Sequence, residues 1–196
     1  YSQQYYFDAI EELKIFIKKY PKHENIDYAH YLMGIVYYEQ IVDEKKDLKS
    51  IIFAKEKFSY VVLEFPETDY ALDAIFKLDL IDNILASKEM YLGRYYFSKK
   101  KWIPAINRFR KIIDDYETTI YSEEALHRLV EVHYILGLKD EAEKYAYLLG
   151  YNYQSSEWYK KSYAVFDKMY EKNLKKNRKE KKEDNIIKKT FKSLFD

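Results

Sequence analysis

The side chains able to do chemistry are few in kind and badly grouped. The chain has no cysteine, which excludes disulfides, Cys-ligated zinc, iron–sulfur clusters and thiol catalysis. Its four histidines are His23, His30, His127 and His133. His127 and His133 are six residues apart, a spacing that puts them on different faces of a helix, and no H-E-x-x-H run occurs. They read as surface or repeat-packing residues. There is no G-x-S-x-G elbow, no G-x-G-x-x-G turn and no Walker loop. The acidic pairs Asp114-Asp115 and Glu123-Glu124 read as a helix end and a helix start, and negative charge suits only the second. No catalytic residue, metal site or cofactor is expected, so the remaining chemistry is that of binding.

Charge narrows the partner. The chain has 196 residues and a net charge of +1. Residues 167–196 carry 11 Lys/Arg and 6 Asp/Glu, a net of +5, which leaves residues 1–166 at −4. An acidic body offers no broad phosphate-binding face, so nucleic acid is not an expected partner. No run of 18 apolar residues exists to span a membrane. Tyrosine is abundant, at 23 residues. Part of that excess fits AT-rich codon usage; the rest fits a wet aromatic binding surface.

The elements that must carry these groups are helices. Four glycines and three prolines cannot supply the turns of a sandwich, a barrel or a doubly wound sheet. A repeat is visible. Ala9, Leu13, Phe16 and Pro21 have spacings that recur in Ala54, Phe58, Val61 and Pro66. They recur again in Ala105, Phe109 and Ile112, with Glu117 in place of Pro, and more weakly in Ala142, Ala146, Leu149 and Gln154. Gly93 with Tyr96 precedes one copy, and Gly34 with Tyr37 precedes another, as in the first helix of a tetratricopeptide (TPR) pair. Leu129-Val130 with His133 opens a further pair.

The expected fold is all-α: a TPR-like α-solenoid of about four to five helix pairs. Helices are predicted near 3–20, 25–41, 50–65, 102–116, 121–136, 139–149 and 155–170. Between Thr68 or Asp69 and Gly93 nothing breaks a helix, so 69–98 reads as one long helix, or two with a kink. Ser50 is the predicted N-cap of the third helix, Pro21 ends the first and Gly150 ends the seventh. The polar loop Asp43–Ser50 carries an insertion of about eight residues relative to the repeat. Residues 1–166 form the expected repeat domain, with its first repeat truncated at the N-terminus, since the array opens on a second-type helix at Tyr1. Residues upstream are expected. Residues 167–196 form a basic, partly disordered tail, ending in a short amphipathic helix marked by Ile186, Ile187, Phe191, Leu194 and Phe195.

A solenoid collects its first-type helices into a groove. Tyr28, Tyr31 and Tyr38 on one such helix and Tyr95 on another would line it and suit an extended peptide with aromatic residues. Tyr37 and Tyr96 occupy the consensus packing position.

The stretch Gly93-Arg-Tyr-Tyr-Phe-Ser-Lys-Lys-Lys-Trp-Ile-Pro-Ala-Ile-Asn-Arg-Phe resembles the BamD family, TPR lipoproteins of the bacterial β-barrel assembly machinery. Glu124-Ala-Leu-His-Arg-Leu-Val-Glu-Val, Gly137-Leu-Lys-Asp-Glu-Ala and Leu149-Gly-Tyr-Asn-Tyr are similar to it as well. The resemblance implies a non-enzymatic scaffold at the periplasmic face of the cell outer membrane. It implies an acylated N-terminal Cys as anchor, which this chain lacks. It implies docking to the periplasmic POTRA domains of BamA, companionship with other Bam lipoproteins, and recognition of C-terminal segments of unfolded outer-membrane proteins. It also implies a BamA contact at Arg108, from the family's Asn-Arg pair, with Asn107, Tyr116, Glu131 and Lys139 in the same partner-binding set. The alternative for Arg108 is an intramolecular pair with Asp115 or Glu117. The alternative for the whole chain is another periplasmic or cytosolic TPR adaptor binding extended peptides or chaperones.

Overall fold

The computed structural model describes residues 2–41 and 48–166. The predicted tail helix at 186–195 and most of the predicted insertion loop lie outside the described residues. All regular structure among the described residues is helical. The chain divides after Ser122 into two compact units.

The first unit holds α1 (Ser2–Lys19), α2 (Ile26–Glu39), α3 (Lys49–Glu64), α4 (Asp69–Ser98) and α5 (Trp102–Asp115). Each helix packs on the next, and α2 also touches α4. That stacking is the TPR-like solenoid expected from the repeat. The repeat positions are the ones that disappear from solvent. Ala54, Phe58 and Val61 are fully buried, and so are Ala105, Phe109 and Ile112. Each copy meets a glycine on the preceding helix. A Cβ on Gly34 would stand 2.7 Å from the Phe58 ring, and one on Gly93 would stand 2.4 Å from the Phe109 ring. The small residue lets the aromatic ring lie against the opposite backbone.

At 30 residues, α4 is about 45 Å long. It forms one continuous helix, because its first half serves α3 and its second half serves α5. Thr68 caps it: the side-chain oxygen accepts from Ala71 N–H at 3.2 Å, and its own hydroxyl donates to the Phe65 carbonyl. Ser50 caps nothing. It lies inside α3, whose preceding residue, Leu48, makes no side-chain cap. The helix start follows the burial of Ile51 and Ala54 instead.

The second unit holds α6 (Ser122–Ile135), α7 (Lys139–Asn152) and a helix, α8, over 157–166. Gly137 ends α6 in the left-handed region, with φ +80°. The Leu138 N–H donates to the His133 carbonyl, and the Gly137 N–H to that of Tyr134, which closes the helix as a Schellman turn. Gly150 does not end α7, which continues to Asn152. It gives close passage to α8 instead: a Cβ there would be 2.7 Å from the Tyr159 ring.

Candidate partner-binding surfaces

Two of the four histidines are packed into the second unit. His133 is buried against the Tyr145 ring, with Nδ1 2.8 Å from the Leu129 carbonyl oxygen. His127 is buried between α6 and α8, with Nδ1 2.9 Å from Ser162 Oγ and its ring on Trp158. Burial pushes the His127 imidazole pKa down, against the pull of the Glu131 carboxylate. Among the described residues no cluster of three His, Asp or Glu side chains could hold a metal ion. No described helix is long and apolar enough to cross a membrane.

Four tyrosines were expected to line a groove in the first unit. Tyr28 and Tyr95 are 41% and 49% exposed. Tyr31 and Tyr38 are half-buried and pack on the core of α3 and α4. The Tyr31 hydroxyl donates to Asp73 at 2.7 Å, and burial with that carboxylate pushes its pKa up to about 12. Its ring stands 5.2 Å from that of Tyr70, which in turn meets Tyr28 at 5.2 Å. An aromatic row thus runs from Tyr31 of α2 through Tyr70 of α4 back to Tyr28 of α2, the exposed end.

The tyrosine spacing missed a separate cleft along α1, α2 and α3. It consists of two hollows of about 770 and 370 Å³ sharing Ile17, His30, Glu56 and Lys57. Tyr60 lines the first and Tyr37 the second. His30 lies 4.4 Å from the Tyr60 ring, and its Nδ1 is buried with no hydrogen-bond partner among the described residues. Burial, then the Lys57 ammonium, lowers the His30 pKa. Nothing in the spacing of one histidine announces such a site.

Of the residues assigned to a partner contact, Asn107 and Arg108 are neighbours on α5, and Tyr116 is its C-cap. Asn107 is exposed. Arg108 pairs with neither Asp115 nor Glu117: its Nη1 donates to Glu89 Oε2 on α4 at 2.9 Å. Asp115 takes Lys111 instead. Tyr116 has Lys55 Nζ 5.5 Å and Lys111 Nζ 5.8 Å from its ring centroid, within cation–π range. Burial raises the Tyr116 hydroxyl pKa, while the Lys111 ammonium opposes it. Lys55 is held by Asp82 of α4.

The second unit holds the other two. Lys139 is exposed at the start of α7. Glu131 is committed within α6, accepting from Arg128 Nη1 at 2.6 Å with His127 Nε2 at 3.5 Å. It lines a cleft of about 550 Å³ between α6 and α8, where Lys161 Nζ lies 4.1 Å from the Trp158 ring centroid.

Comparison with known proteins gives this geometry a family. The sequence model of the YfiO family, described as outer membrane lipoprotein, matches residues 1–149. The outer membrane protein assembly factor BamD of Rickettsia prowazekii is 46% identical over 160 residues, 82% of this chain and 64% of that protein. BamD of Caulobacter vibrioides is 38% identical over 167 residues, 85% of this chain and 55% of its own length. BamD of Neisseria gonorrhoeae is 33% identical over 128 residues, 60% of this chain and 48% of its own length. The chain thus spans less than two thirds of the length of each of these relatives. The family match covers both helices of the two Gly–Phe repeats as well as α6 and most of α7. This chain belongs to the YfiO family of outer membrane lipoproteins.

Proposed function

We propose that this chain is a non-catalytic scaffold for assembling β-barrel proteins at the periplasmic face of the outer membrane, held there by a lipid anchor. The observation that carries this reading is its likeness to assembly factors over most of its length. The surface around Arg108 supports it: a guanidinium on an exposed helix edge can take a partner carboxylate in bidentate fashion. On this reading Arg108, Asn107 and Tyr116 dock on the POTRA domains of BamA. Glu131 and Lys139 in the second unit add contacts to BamA, and other Bam lipoproteins complete the assembly. Tyr28 and Tyr95 receive the aromatic C-terminal segments of unfolded outer-membrane proteins. Holding client and barrel protein on one body raises their effective concentration for each other.

The test is calorimetric titration of the chain with the soluble POTRA region of its own species' BamA. Binding at micromolar affinity or better is expected, weakened at least about thirtyfold by Arg108→Glu, the cost of reversing one partner of a close charge pair. Because Arg108→Glu also sets a second carboxylate against Glu89, which is 13% exposed, melting should fall while helicity is kept. A folded chain that does not bind would redirect the reading toward a TPR adaptor of another system.

A further inference from the structure

The charged residues around Tyr116 are layered. Asp82 and Glu89 lie seven residues apart on α4, on one face of that helix. Asp82 reaches across to Lys55 of α3, and Glu89 to Arg108 of α5. In both pairs the carboxylate is the deeper partner. Asp82 is 25% exposed against 37% for Lys55, and Glu89 13% against 39% for Arg108. Lys111, one turn from Arg108 on α5, joins Lys55 at the Tyr116 ring, but its counter-charge is Asp115, which is exposed beside it. Arg108 and Lys55 therefore lie above their counter-charges, with Tyr116 beside Lys55.

That layering has a consequence for binding. Glu89 takes Nη1 of Arg108. A guanidinium has five donors in a planar fork, so its other edge is left to accept a second carboxylate. An unheld arginine would lose rotamer freedom on docking; this one has already lost it to Glu89. We propose that Glu89 and Asp82 are positioning residues that hold Arg108 and Lys55 ready, as preorganised cations above deeper counter-charges, for an acidic surface on the docking partner. Charge complementarity is the argument for that partner. The inference rests on the docking function proposed above.

A double-mutant cycle on the full 196-residue chain, titrated with the same POTRA fragment, tests it. Glu89→Ala should weaken binding about three- to tenfold, the value of ordering one long side chain in advance. In an Arg108→Ala background it should cost nothing more, because Glu89 acts only through Arg108. Glu89→Gln keeps an acceptor for the guanidinium and should recover part of the loss. A Glu89→Ala chain that binds as well as wild type, or tighter, would overturn the positioning role. So would a loss of equal size in both backgrounds, which is what a general structural defect gives. If Arg108→Ala alone leaves affinity unchanged, Arg108 is outside the interface and the positioning role falls with it, while docking stands; if wild type does not bind, the docking reading itself falls. If Arg108→Ala weakens binding and Glu89→Ala does not, only the positioning role falls.

Discussion

Gly93 has no room for a methyl group. The atom it would place 2.4 Å away belongs to Phe109, a fully buried ring that cannot retreat without displacing its neighbours. Ala is otherwise about 1 kcal/mol better than Gly inside a helix, so any loss measures the clash. Gly93→Ala should cost about 1–3 kcal/mol in urea unfolding, the range for overpacking a well-filled core. Stabilisation by that substitution would mean that the ring is not confined as described. The same logic holds at Gly34 against Phe58. The positions were legible in the sequence, because each glycine and each phenylalanine carries a repeat signature, but the contact of ring on glycine was not, since the chain between them differs in length in the two copies. Nor was the partner of Arg108. Spacing along one helix points to Asp115 or Glu117, whereas the pair that forms joins α5 to Glu89 on α4, 19 residues upstream. Tyr31 was legible as an aromatic on a first-type helix, but not as a hydroxyl already committed to Asp73.

Helix ends show which local signals govern. The end of α4 uses the same turn as the end of α6. The Lys101 N–H donates to the Tyr96 carbonyl and the Lys100 N–H to that of Phe97, as Leu138 and Gly137 do for α6. The turn needs one left-handed residue; α6 supplies Gly137, whereas α4 supplies Lys100, at φ 57°. A side chain there costs roughly 1–2 kcal/mol, and glycine would return about 0.5–1 of that to the unfolded chain as entropy. Lys100→Gly should therefore raise stability by up to about 1 kcal/mol, read as a higher urea midpoint at unchanged slope. A lower midpoint would mean that the Lys100 side chain makes a contact worth more than the strain. Where a polar cap disagreed with burial, burial won: Ser50 was passed over because Ile51 belongs to the core. Gly150 likewise stayed helical because its missing side chain admits Tyr159.

For the molecule as a whole, the tyrosines test the client half of the proposed function. Tyr28→Ala and Tyr95→Ala should each weaken binding of a peptide ending in an aromatic residue about fivefold or more, the usual cost of truncating an anchoring side chain. Tyr31→Phe should leave that affinity alone, since its hydroxyl already serves Asp73. Fluorescence anisotropy of a labelled peptide reads all three. Loss of binding in Tyr60→Ala alone would move the site to the cleft along α1–α3. The helical class, the order of the helices, the absence of a breaker between Asp69 and Gly93 and the kinship with one lipoprotein family could all be read along the chain. Those properties depend on periodicity, breakers and motifs, all of which act between near neighbours in the chain. Packing settled that α4 is one unbroken helix, which tyrosines are open, that a cleft along α1–α3 holds a histidine nitrogen with no partner among the described residues, and that Asp82 and Glu89 hold Lys55 and Arg108. Each of those depends on which side chain meets which across two or more helices, and packing alone sets that choice.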